Sequence, residues 1–262
     1  MTQKFKMVFV TPIVPVTPMR LEASHRSEMV SQLLFGESAT ILETGKDFIK
    51  VSSLYDDYIG WIQKSQLIEI AKEQALLGNG LLNGDVLRAI TCNGAPMQVS
   101  FGSPLHFFEH GTAKIGTYDF HYEGKFWNPA EAQFNEATLK WVSHQFLNTA
   151  YLWGGRSIFG IDCSGLTQQV FRFLGIKLPR DAYQQAALGE VVGFLQEAKC
   201  GDLAFFDNAE GRITHVGIML NNASIIHASG KVRIDAIDNM GIINSDTGER
   251  THQLRIVKRY QP

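Results

Sequence analysis

The chain has 262 residues, 45% hydrophobic and 19% charged, a balance that suits one large soluble domain or two to three smaller ones. Its 24 basic and 26 acidic side chains leave a formal net charge of −2, which gives no electrostatic basis for binding nucleic acid or an anionic membrane surface. No apolar run approaches a membrane span, and the three cysteines, Cys92, Cys163 and Cys200, show no C-x-x-C metal spacing.

At the N-terminus Lys4 and Lys6 precede an apolar stretch of residues 7–10 only, and Pro12, Pro15 and Pro18 oppose a helix there. That is too short for a secretory leader. The cysteine usage favours a reduced compartment, so a cytoplasmic protein is expected, or a periplasmic one if it is made from a longer precursor.

Residues 8–70 read as short strands with turns. Strands are expected over residues 29–35, 39–42, 48–51 and 58–62, closing at 66–68, with Thr44-Gly45-Lys46-Asp47 as a turn. Strands of this size in about sixty residues suggest a small, partly open barrel. The segment Ser27-Glu28-Met29-Val30-Ser31-Gln32-Leu33-Leu34-Phe35-Gly36-Glu37, with Tyr58-Ile59-Gly60-Trp61, resembles a bacterial SH3 (SH3b) domain, expected over residues 1–72. Residues 71–77 form a helix-prone connector ending at Gly78-Asn79-Gly80. A second, more divergent SH3b-like unit is expected over residues 73–126, with strands at 85–91, 97–101 and 105–108. Its aromatics Phe101, Phe107, Phe108, Tyr118, Phe120 and Tyr122 supply a core.

In the second half, Asn128-Pro129 reads as a cap and first position of a helix reaching about residue 150, with Leu139, Val142 and Phe146 on one face. Then come Tyr151-Leu152-Trp153-Gly154-Gly155 and Asp162-Cys163-Ser164-Gly165. Leu166, Val170, Phe171 and Leu174 share a helical face, and Gly175 is the stop, so Asp162 caps a helix whose first turn holds Cys163. The helix dipole there is expected to lower the thiol pKa, and the unpaired amides offer an oxyanion site. Strands follow at 203–206, 213–220, 224–228, 232–235 and 254–260. Helices first and an antiparallel sheet second is an α+β layout.

Asn221-Asn222-Ala223 reads as a hairpin turn. If Leu220 lies opposite Ser224, Gly217 lies opposite His227, and His215 and His227 become diagonal neighbours on one face. A thiol, a base and a residue that orients the base are the parts of nucleophilic catalysis, and Cys163, His215 and His227 supply them. The alternative use of the same three residues is a zinc site.

The quoted segments, with Gly201-Asp202-Leu203-Ala204-Phe205-Phe206, Thr214-His215-Val216-Gly217-Ile218 and Ile226-His227-Ala228-Ser229, resemble an NlpC/P60 cysteine peptidase domain over residues 127–262. The resemblance implies a papain-like fold, with Cys163 as nucleophile, His215 as base, His227 as its orienter and Tyr151 near the oxyanion. No metal or organic cofactor is implied. The architecture is similar to γ-D-glutamyl-L-diamino acid endopeptidases that recycle cell-wall peptides. In these an acidic pocket holds the free amine of L-Ala-γ-D-Glu. The matching positions are Asp162, Ser164 and Asp181, with Glu28 and Tyr58 from the first SH3b unit. Related sequences follow Arg-Asp with serine, whereas this one has Ala182 after Arg180-Asp181, so one hydroxyl contact is missing. The expected activity is hydrolysis of the γ-D-glutamyl–diamino acid bond in free murein peptides. Two rivals stand beside it: a catalytically silent protein that binds wall fragments, and an amidase or acyltransferase on the same scaffold. Residues 239–250 are expected to be a long polar connection.

Overall fold

The computed structural model describes residues 7–77, 80–86 and 88–260. Gly78 and Asn79 of the expected connector turn, Leu87 of an expected strand, and Lys4 and Lys6 lie outside the described residues. The chain divides into two compact units, Met1–Asn128 and Pro129–Pro262.

The first unit begins with seven strands: β1 (Phe9–Pro12), β2 (Val16–Arg20), β3 (Met29–Leu34), β4 (Ala39–Thr44), β5 (Phe48–Ser53), β6 (Ile59–Gln63) and β7 (Leu67–Ile70). They form one antiparallel sheet in the order β3-β2-β6-β5-β4-β1-β7. Val10, Met19, Leu33, Ala39, Ile49, Val51 and Ile62 send side chains into a common core. Pro18 fits within β2 because that strand ladders with β3 along its length but meets β6 only at Arg20.

After the short helix α1 (Lys72–Ala75), strand β8 (Leu82–Asn83) leads to a separate four-stranded sheet. Its strands are β9 (Ala89–Cys92), β10 (Ala95–Gln98), β11 (Thr112–Ile115) and β12 (Tyr118–His121), in the order β10-β9-β12-β11. β13 (Phe126–Trp127) returns to pair with β8. Phe107, Phe108, Phe120 and Tyr122 build its core, and Phe35, at the end of β3, belongs to the same cluster. Ile68 and Ile70 of β7 also pack against it, so the two sheets share apolar packing. The expected strand at residues 105–108 is not formed: Leu105 and Phe108 close a turn through the Phe108 amide and the Leu105 carbonyl, burying apolar side chains without a ladder.

In the second unit, Pro129–Glu131 makes a single 3₁₀ turn, and helix α2 runs from Glu136 to His144. This corrects the expected helix start. Asn135 is the cap, its side chain accepting from the Thr138 amide at 2.9 Å, and Asn128 is not. Leu139, Val142 and Phe146 are buried as their spacing implied. β14 (Arg156–Ser157) and β15 (Gly160–Ile161) form a tight ribbon that delivers the chain into α3 (Cys163–Phe173), followed by α4 (Ala182–Ala186).

The remaining strands are β16 (Glu190–Val192), β17 (Leu203–Asp207), β18 (Ile213–Asn221), β19 (Ser224–Ser229), β20 (Lys231–Asp238), β21 (Gly241–Ile243) and β22 (Arg250–Arg259). Their order is β16-β22-β17-β18-β19-β20-β21, and β21 also pairs with β22, so six strands close on themselves. Ala204, Phe206, Met219, Ile225, Ile237, Ile242 and Val257, one or two from each of the six, share a core. Residues 239–250 are thus not one long loop. They contain β21, which completes the ring. α3 is buried along almost its whole length and packs against β18 and β19. No helix among the described residues is long and apolar enough to cross a membrane.

Candidate active site

The start of α3 is held by one carboxylate. Asp162 has extended backbone, and its Oδ1 accepts from the Gly165 amide at 2.7 Å, which makes it the N-cap. Oδ2 accepts from the Gly154 amide at 2.9 Å, tying the cap to the preceding turn. Arg180 then grips both oxygens, Nη1 to Oδ1 at 3.0 Å and Nη2 to Oδ2 at 2.5 Å, and donates from Nη1 to Ser164 Oγ at 2.9 Å. The pair is almost fully buried. Such a two-pronged, charge-assisted contact fixes direction as well as distance. A Cβ on Gly165 would lie 2.2 Å from the Gly155 carbonyl oxygen, so only glycine lets the first turn of α3 settle on that backbone.

Asp162 caps the helix as the sequence implied, and its pairing with Arg180 and the place of Ser164 between the two are structural work that the sequence did not disclose. Both Asp162 oxygens are engaged inside the protein, and the Ser164 hydroxyl lies between Asp162 and Arg180. Asp181 caps α4, where its amide donates to Gln184 Oε1 at 3.1 Å. Gln185 of the same helix binds the Ser164 carbonyl and the Thr167 hydroxyl, fastening α4 to α3.

Cys163 is 7% exposed, and the backbone amides of Val216 and Ser164 donate toward its sulfur. Burial pushes the thiol up to about 12, the Asp162 charge adds to the rise, and the amides only partly oppose it. This overturns the expectation of a lowered thiol: at this helix start loss of solvent outweighs the dipole, and a carboxylate sits beside the sulfur.

The Val216 amide that reaches the sulfur follows directly on His215. In the β18–β19 hairpin Gly217 lies opposite His227, as the sequence implied, although Ser224 pairs with Asn221 and a bulge absorbs the difference. His215 and His227 share a face, and His215 Nε2 is 2.9 Å from His227 Nδ1 with the rings at 84°. A Cβ on Gly217 would come within 2.9 Å of His227 Cβ, so the pair depends on that glycine. Burial, and then the neighbouring His252 and His227, hold the His215 imidazolium well below its ordinary pKa. Burial thus acts in the same sense on both groups, favouring the uncharged thiol and the uncharged imidazole. This composition suits proton transfer from sulfur to His215 at the moment of attack.

Two residues of the site escaped the sequence reading. Asp235 on β20 takes the other nitrogen of His227, Nε2 to Oδ2 at 3.0 Å, and is itself held by Arg233 and the Ser245 amide. His252 on β22 stacks on His215. Neither lies in a recognisable motif. Period-two alternation in β20 does put Asp235 on the face of Ile237, the only signal available. With Nδ1 and Nε2 of His227 both engaged, that ring has no free nitrogen for zinc. Among the described residues no three His, Cys, Asp or Glu side chains are placed as a metal set.

Tyr151 sits beside the start of α3, its backbone bridging to Ile161 and Gly230. Burial first, and then its nearness to Cys163 and Asp162, push its phenol up, so it remains a hydrogen-bond donor. Glu28 and Tyr58 belong to the other compact unit. Glu28 is exposed and its carbonyl accepts from the Leu21 amide. Tyr58 is half-buried against the first core.

Comparison with known proteins follows these lines. Residues 148–251 match the NlpC/P60 family, and residues 19–67 match the bacterial dipeptidyl-peptidase Sh3 domain. A γ-D-glutamyl-L-lysine dipeptidyl-peptidase of Bacillus subtilis is 31% identical over 216 residues, covering 76% of this chain and 71% of that protein. One of the same name from Bacillus cereus is 35% identical over 112 residues, covering 41% of this chain and 33% of that protein. The crystal structure of an NlpC/P60 family protein from Bacillus cereus has the same fold. Its TM-score is 0.78 at 21% identity, with 97% of this chain and 100% of that one covered.

Proposed function

The chain belongs to the NlpC/P60 family, and from that premise we propose that it is a cysteine peptidase cutting the γ-D-glutamyl–diamino acid bond of free murein peptides with an N-terminal L-alanine. The observation that carries the proposal is the placement of Cys163, with a β18 amide at its sulfur and His215 of that same strand hydrogen-bonded to His227 of β19. The dipeptidyl-peptidase activity for which the two Bacillus relatives are named, and the dipeptidyl-peptidase Sh3 match, support the substrate class.

His215 takes the proton from Cys163 as sulfur attacks the γ-carbonyl carbon. The oxyanion forms beside the amides of the first turn of α3 and the neutral Tyr151 phenol. Collapse transfers the proton from His215 to the departing amine and leaves a thioester. Water, deprotonated by His215, then releases L-Ala-γ-D-Glu and regenerates the thiol. The assignment of the substrate ammonium to Asp162, Ser164, Asp181, Glu28 and Tyr58 is kept in this proposal, with Asp162 and Ser164 also holding the start of α3.

The test is mass spectrometry of products from L-Ala-γ-D-Glu-meso-diaminopimelate, its L-lysine counterpart and their N-acetylated forms. Release of L-Ala-γ-D-Glu from the free peptides alone is the expected result. Equal cleavage of the acetylated forms would keep the peptidase and remove the amine requirement. No cleavage by reduced protein would leave a binding protein in its place.

A further inference from the structure

A histidine pair bonded Nε2 to Nδ1 can hold its shared proton on either nitrogen, and the two arrangements have opposite chemical consequences. If His215 carries the proton on Nε2, its Nδ1 is bare and can act as a base. If His227 carries it on Nδ1, neutral His215 must accept at Nε2, and Nδ1 is protonated and useless toward a thiol. The 2.9 Å contact does not distinguish them.

The residue on the far side of His227 does. Asp235 is 2% exposed, and its carboxylate can only accept while ionised. Oδ1 accepts from the Ser245 amide at 2.9 Å and Arg233 Nη2 at 3.0 Å. Oδ2 lies 2.8 Å from Arg233 Nε and 3.0 Å from His227 Nε2. Burial alone would raise this carboxyl, but the hydrogen bonds from His227, Ser245 and Arg233 prevail and hold it well below the usual range. An acceptor-only partner requires His227 to donate from Nε2. Neutral His227 then has a bare Nδ1, which requires His215 to donate from Nε2, and neutral His215 is left with a bare Nδ1.

We propose that Asp235 is a positioning residue that sets the tautomers of both histidines and thereby leaves His215 Nδ1 unprotonated as the base for Cys163. The proposal rests on Cys163 being the nucleophile. Its reach extends to Arg233, which is held by Asn244 and Asp246 as well as by Asp235 and so keeps the carboxylate aligned. When His215 becomes imidazolium during attack, the relay still holds, since Nε2 goes on donating to His227 and His227 to Asp235.

Asp235→Asn is the informative change. The amide is nearly isosteric. With its oxygen at the Oδ1 position, accepting from the Ser245 amide and Arg233 Nη2, its NH₂ group stands between Arg233 Nε and His227 Nε2 and donates to the latter, reversing every proton in the relay.

The experiment is two-bond ¹H–¹⁵N spectroscopy of the imidazoles in the full, substrate-free chain at pH 7.5, with peaks assigned by single histidine substitutions, beside steady-state kinetics. In the wild type, His215 and His227 should each show a protonated Nε2 and a bare Nδ1. In Asp235→Asn both should invert, with kcat down about 100-fold or more and KM within about threefold. Wild-type His215 protonated on Nδ1 would overturn the proposal without any variant, and so covers the case where Asp235→Asn fails to fold. A folded Asp235→Asn with unchanged tautomers and kcat would overturn it as well. The spectra need no substrate. The expected tautomers in a protein that cleaves none of the peptides would therefore support the relay and refute only the proposed function.

Discussion

His252 lies over His215 as a nearly parallel plate, with ring centroids 4.1 Å apart and 24° between the planes. Phe206 approaches both rings, so the base stands in an aromatic enclosure formed by β17, β18 and β22. Within it His252 itself is lowered to about 4, by burial first and then by His227, with Asp235 acting in the opposite direction.

The pH dependence follows from those directions. A base works only when unprotonated, and a pKa held well below 6.5 keeps His215 unprotonated as the medium is acidified. The profile of kcat/KM should therefore stay level through pH 6.5 and decline only at lower values. His252→Phe retains a ring over His215 and removes a group that disfavours its cation, so the acid limb should move upward. Burial remains, and the limb should not pass the ordinary histidine value. A wild-type limb centred at 6.5 would show that the enclosure does not govern the base.

Arg180 is the counter-ion on which the Cys163 helix start depends. Arg180→Met would leave the buried Asp162 carboxylate without its cation, a change that costs about 3–5 kcal/mol. Urea unfolding should show the loss as a lower midpoint with an unchanged slope. A shift below about 1 kcal/mol would mean that the pair is not what fixes the cap.

Gly217→Ala probes the register of the histidines. The added methyl would sit 2.7 Å from Ile225 Cδ1 and 2.9 Å from His227 Cβ, so His227 must move. kcat should fall about 10-fold or more while binding of substrate is little altered. Wild-type turnover in this variant would show that His227 tolerates displacement.

Glu28→Ala separates substrate capture from chemistry. Loss of one ammonium partner should raise KM several-fold for peptides with a free L-alanine terminus and leave kcat nearly unchanged. Unaltered kinetics would remove Glu28 from the proposed substrate-binding residues.

The Cys163 helix and the β18–β19 hairpin were legible because each rests on local rules: an Asp cap before an amphipathic run, and period-two alternation across a short turn. The start of α2 was misplaced because Asn128-Pro129 and Asn135 offer equally good local signals, and the first of them opens only a single 3₁₀ turn. Asp235 and Arg180 could not be read as partners of the site from one sequence. Each reaches it from a separate element, and an ordinary Asp in a strand or Arg after a proline carries no mark of what it will touch. The thiol was misjudged for a related reason: helix position is written in the sequence, whereas the depth of burial that outweighs it is a property of the assembled fold.

The most direct measurement is rapid-quench mass spectrometry of the intact protein during turnover of L-Ala-γ-D-Glu-meso-diaminopimelate. The expected result is a transient adduct of one L-Ala-D-glutamyl group, mapped by proteolysis to Cys163 and absent from Cys163→Ala. Turnover by Cys163→Ala at the wild-type rate, or an adduct mapped to Cys92 or Cys200, would contradict the assignment of Cys163 as the nucleophile.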